Sequence, residues 1–161
     1  MSTGRILGLG GVANPSDTWE FSTPAPAGAN PFGTACAGSG SAPLLSPRRG
    51  SLPWIDQTFD VVLGPVPGFA LVAFGLSNTA SGGLALPFAL APYGAPGCAV
   101  LVSPDAVQGI AATPTATVAM AVPPVLALVG VVFYVQGLVL DAAANALGVT
   151  TSNGMAMTIG W

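Results

Sequence analysis

The chain contains no lysine and no histidine. Its ionic groups are three arginines and six acids, 6% of 161 residues, with a net charge of -3. Soluble proteins ordinarily carry about 25% charged residues. Without imidazole there is no Ser-His-Asp triad, no histidine metal ligand and no base poised near neutrality. Without a basic patch, nucleic-acid binding has no source of phosphate neutralisation, so no nucleic-acid partner is expected. The acids Asp17, Glu20, Asp56, Asp60, Asp105 and Asp141 are scattered singly, with no calcium-loop run. Disorder is excluded from the other side: 52% of the residues are hydrophobic and the mean hydropathy is +0.72, the reverse of the disordered signature.

Thin charge has a consequence for the surface. A 15.8 kDa monomer should expose about 7,300 Å², which leaves roughly one charge per 800 Å². Such a surface carries uncharged or apolar patches, and these mark interfaces. A membrane span is the competing explanation, because Ala106 to Leu140 holds no charge at all. Pro123-Pro124 breaks that stretch, no Lys or Arg follows it, and its valines and aromatics favour strands, so no membrane span is expected. Residues 6–12 are too short and too glycine-rich for the core of a secretory signal.

What the chain does hold is punctuation: 22 glycines and 16 prolines spread between short apolar runs. That pattern reads as all-β, an antiparallel β-sandwich of seven to eight strands, immunoglobulin-like or jelly-roll-like. Strands are expected at Thr58–Leu63, Phe69–Leu76, Leu84–Leu90 (an edge, broken by Pro87), Cys98–Val102, Thr115–Val122 and Gly130–Leu140. Leu147–Thr151 and Met155–Ile159 should form a hairpin about Ser152-Asn153-Gly154. Asp141 is placed to open a turn or short helix through Ala146. Residues 1–34 read as an extended N-terminal arm and 35–161 as the sandwich. The arm carries Ile6, Leu7, Leu9, Val12, Trp19 and Phe21, too many apolar side chains to leave in water, so it should dock on a strand edge.

Cys36 and Cys98 sit among small residues in similar settings. Two thiols without histidine cannot complete a zinc site, and no cationic neighbour activates either sulfur. Two readings stay open, a disulfide or two buried thiols. The disulfide is preferred, since a loop of about sixty residues would gain roughly 4 kcal/mol, and it points to an oxidising compartment.

The remaining candidates have bland readings of greater weight. Asp56 and Asp60 invite a general acid/base role, but four residues along a strand separate them by roughly 13 Å, too far for a glycosidase pair. Asp105 and Asp141 could contribute to a calcium site, yet turn chemistry explains them, and Asn78, Asn145 and Asn153, equally well. Trp19, Trp54 and Trp161 could stack on sugar, but their spread favours packing. Gly8-Leu9-Gly10-Gly11 lacks the Lys, strand and helix of a phosphate loop.

An ordered set of short stretches resembles a β-domain found at the C-termini of secreted, uncharacterised proteins of planctomycete-like bacteria. The set runs Cys36-Ala37-Gly38-Ser39, Gly75-Leu76-Ser77-Asn78-Thr79, Gly82-Gly83, Leu86-Pro87, Gly94-Ala95-Pro96-Gly97-Cys98 and Val102-Ser103-Pro104-Asp105. It continues through Phe133-Tyr134-Val135-Gln136, Val139-Leu140-Asp141, Ala144-Asn145-Ala146-Leu147-Gly148 and Ser152-Asn153-Gly154. The resemblance implies an extracytoplasmic sandwich with paired cysteines and no known activity. The expected protein is therefore structural rather than enzymatic, extracellular or at the cell surface, and needs no metal or cofactor. Its expected partner is itself, in a homo-oligomer or filament. The alternative is a secreted module that binds a surface polysaccharide.

Overall fold

A computed structural model describes residues 25–161, together with the short strands Leu7–Leu9 and Thr18–Glu20. Among the described residues the fold is all-β and antiparallel. Eight strands build two sheets: β1 Gly28–Phe32, β2 Leu44–Pro47, β3 Thr58–Gly64, β4 Phe69–Gly75, β5 Ala106–Ala111, β6 Ala116–Ala121, β7 Val132–Leu140 and β8 Val149–Thr158. One sheet has the order β5-β4-β7-β8-β1 and the other β6-β3-β2. The two sheets share one core. Phe59, Val61, Leu63 and Val118 come from the three-stranded sheet, and Val72, Val135, Val139, Met155 and Met157 from the five-stranded one. This is a sandwich-like arrangement of two layers.

The period-two pattern explains the layering. Along β3, Phe59, Val61 and Leu63 point inward and are buried, while Thr58, Asp60 and Val62 face out. Each large inward side chain contributes about 1.5–3 kcal/mol on leaving water. Between β4 and β5 the chain makes a surface excursion of two ribbons. Ala80–Ser81 pairs with Leu84–Ala85, and Phe88–Ala89 with Ala99–Val100. Pro87 breaks the expected Leu84–Leu90 strand into these two pieces, as its missing N–H requires. Cys36 and Cys98 are bridged, with Cα atoms 4.9 Å apart, and the bridge ties the excursion to the segment before β2. No helix among the described residues is long and apolar enough to cross a membrane.

Three expectations need correction. Ser152-Asn153-Gly154 is not a hairpin: β8 runs unbroken through it, and all three residues are buried. Gly154 is there for space, because a Cβ at that position would run into the Phe32 ring. The arm yields to the sheet before residue 34, since Gly28–Phe32 pairs with β8 from Thr158 to Gly154. A strand also forms where none was expected, at Ala106–Ala111, paired with β4 along its whole length. Of the two forms expected for the Asp141 segment the turn is the one present, with Asp141 Oδ1 accepting the Ala143 N–H at 3.3 Å.

Candidate interaction surface

The buried polar residues serve the architecture. Gln136 on β7 is fully buried and satisfied. Its Oε1 accepts the Leu101 N–H at 2.8 Å, and its Nε2 donates to the carbonyls of Ala99 and Ser152 at 2.9 and 3.0 Å. One side chain therefore clamps the 99–101 segment to β8. Ser152 Oγ accepts the Gly137 N–H at 2.8 Å, where the register of β7 and β8 shifts. Asn153 reaches across to β2, where it accepts the Leu45 N–H at 2.9 Å and donates to the Leu45 carbonyl at 3.1 Å. The disulfide belongs to the same region: Cys36 N–H donates to the Thr151 carbonyl at 3.0 Å. Sequence reasoning assigned Ser152 and Asn153 to a turn and gave Gln136 no structural role. A lone Gln between Val135 and Gly137 in an apolar run was the available signal.

The acids do not converge. Asp60 pairs with Arg48 at 3.2 Å on the surface, while Asp56 sits with positive φ at the turn before β3. Asp105 Oδ2 accepts the Leu76 N–H and the Ser103 hydroxyl at 2.8 and 2.9 Å. Asp141 Oδ2 accepts both the N–H and the hydroxyl of Ser39, each at 2.8 Å, and these bonds hold its carboxyl below the usual aspartate range. The strand register separates the two. Ala106 lies opposite Phe74, and Phe74 opposite Val135. Asp141 follows six residues further along that line, about 20 Å away at the rise of a strand, so no shared calcium site forms. No cluster of three potential metal ligands exists among the described residues.

Trp54 is half-buried and bridges to Gly160 next to Trp161, which is half-exposed. Of the arm residues, Leu7, Leu9 and Trp19 lie in the two short strands, which pair with each other. Ile6, Val12 and Phe21 lie outside the described residues.

The distinctive surface is the β5–β6 side. Every sheet has two edges, and unpaired edges are managed by proline, charge or cover. β1 carries Pro31, and β2 ends in Pro47 with Leu45 covered by Asn153. β5 (AVQGIA) and β6 (ATVAMA) have neither proline nor charge. Ala106 and Gln108 lie across from core-facing Phe74 and Val72, yet both are exposed, so the sandwich is open along this margin. A groove of about 280 Å³ enters there, lined by Phe74, Leu76, Asp105, Ala106, Met120 and Phe133. Phe74, Met120 and Phe133 belong to the core layer and are only half-buried. On the outer face of the same sheet Val107 is 52% exposed, and at the far end of β4 and β7 Phe69 and Leu140 are 39% and 46% exposed. A second cleft of about 220 Å³, lined by Pro43, Pro65, Pro67, Pro114 and the Ser39–Asp141 pair, lies near the other end of β7.

No family model, no curated protein and no solved structure matches the chain.

Proposed function

We propose that this is an extracytoplasmic structural protein that assembles with copies of itself, through the sandwich surface and the N-terminal arm. The finer description of the domain, an immunoglobulin-like or jelly-roll-like sandwich preceded by an arm, belongs to the same proposal. One observation carries it: two edge strands, β5 and β6, carry neither proline nor charge and meet at an apolar groove. A chain with 6% charged residues has little repulsion to keep such surfaces apart. The Cys36–Cys98 bridge supports an oxidising compartment. The acids and buried polar groups supply turns and clamps, which supports a role without catalysis.

Light scattering of the purified chain over a range of concentrations tests this reading. Growth from monomer to multimers is expected. A mass that stays monomeric throughout would refute it. Removal of the arm must stop at residue 24, because Gly28–Phe32 is a strand of the five-stranded sheet.

A further inference from the structure

The reading above leaves open which surfaces meet, and four observations narrow the choice. The groove lies at one end of the margin between β5 and β6, reaching β5 at Ala106 and β6 at Met120, and the free β5 edge runs on from it. Both edges are unpaired and uncharged, and core-facing Phe74, Met120 and Phe133 are left half-covered at the base of the groove. Its one charged wall residue is Asp105, exposed at the mouth with its Oδ2 held by Leu76 and Ser103.

The chain contains a segment of matching chemistry. Arg5 to Val12 reads Arg-Ile-Leu-Gly-Leu-Gly-Gly-Val, and Arg5 is the one cationic side chain before Arg48. An apolar strand with a single cation suits an apolar groove with a single carboxylate. Leu7–Leu9 pairs with Thr18–Glu20 in a two-stranded ribbon, and among the described residues no strand pairs with its other side.

The place where the arm joins the domain then sets the geometry. It joins at Ala25, whose carbonyl accepts the Trp161 N–H, immediately before β1. β1 and β5 are the opposite edges of one five-stranded sheet, about 19 Å apart at the usual strand spacing. The sheet thus sends out the arm at one edge and offers an unfilled strand position at the other. With Leu9 paired to Thr18, the reach is set by the seven residues from Ala25 back to Thr18, up to about 24 Å when extended, enough to carry the ribbon past the edge of its own sheet.

We infer that Arg5–Val12 of one copy adds as a strand to the β5 edge of a second copy, with its apolar side chains in the groove over Phe74, Met120 and Phe133 and Arg5 drawn to Asp105. This inference rests on the self-assembly reading and deepens it. The contact is head-to-tail, so each added copy brings a new free β5 edge and the assembly is a ring or an open filament.

Cysteine cross-linking of the full chain decides the matter. Leu9→Cys is combined with Gln108→Cys, and separately with Val107→Cys, so that both side-chain registers are sampled; the native bridge is retained. Mild oxidation should convert the monomer band on a non-reducing gel into a ladder of covalent multimers. A faster-migrating monomer, with the new cysteines joined within one chain, would overturn the inter-copy contact. Absence of any new bridge while light scattering still shows multimers would overturn the β5 site and leave self-assembly standing. Absence of multimers from the wild-type chain as well would remove the reading on which the inference rests.

Discussion

Reducing the Cys36–Cys98 bridge should destabilise the domain severely without opening a cavity. The bridge closes a loop with a sequence separation of 62 residues. In the chain-entropy model that closure is worth about 4 kcal/mol, a large share of the roughly 5–15 kcal/mol that holds an ordinary domain folded. On reduction the two thiols remain buried with Leu90 and Ala95, their sulfurs moving apart only to non-bonded contact, so little packing is lost and the effect acts chiefly through the unfolded chain. For a chain of this length, a loss of that size should lower the melting temperature by roughly 8–16 °C. Thermal unfolding followed by circular dichroism, with and without reductant, measures it. Alkylation of the unreduced, unfolded protein should label no cysteine. A shift of only about 2 °C would refute the loop argument, and two labelled thiols would refute the bridge itself.

Other outcomes follow from the buried clamps. Gln136→Leu keeps the volume but orphans the Leu101 N–H and its two carbonyl partners; at about 1–3 kcal/mol per stranded group, denaturant unfolding should show a loss of about 3 kcal/mol or more. Gly154→Ala places a methyl group against the Phe32 ring and should loosen β1, at about 1–3 kcal/mol, with hydrogen exchange rising at residues 28–32 before the rest of the sheet. Ser39→Ala removes one of the three hydrogen bonds that depress the Asp141 pKa, leaving those from the Ser39 and Ala143 N–H groups, so NMR titration should show that pKa rising part of the way toward the ordinary aspartate value. Because the folded pKa is the lower one, the stabilisation linked to Asp141 is present above the ordinary aspartate pKa and is lost as pH falls through the folded value. The variant should therefore show a smaller loss of stability on acidification through that range.

How much of this was legible in the sequence depends on which force placed each residue. Thr58–Leu63, Phe69–Leu76, Thr115–Val122 and Gly130–Leu140 were readable because half-buried strands alternate or run continuously apolar, and the structure has β3, β4, β6 and β7 at those places. The disulfide was readable as the preferred of two open readings, because closing so long a loop is worth several kcal/mol. β5 was not, because both faces of Ala106–Gly109 are exposed and nothing imposes a period. Ser152-Asn153-Gly154 misled because Asn-Gly is a local turn signal, whereas here Asn153 serves a distant strand and Gly154 makes room for a distant ring. Gly28–Phe32 looked like arm because proline and asparagine hide a strand whose partners lie more than a hundred residues away. The open β5–β6 margin is a property of three-dimensional edges, and only the thin charge hinted at it.

Sedimentation velocity of the intact chain, oxidised and at rising concentration, tests the central claim most directly. The account predicts a concentration-dependent series of multimers, which collapses to monomer when residues 2–24 are removed and the fold is retained. A single monomeric boundary at every concentration, for a chain whose circular dichroism shows it folded, would contradict the account.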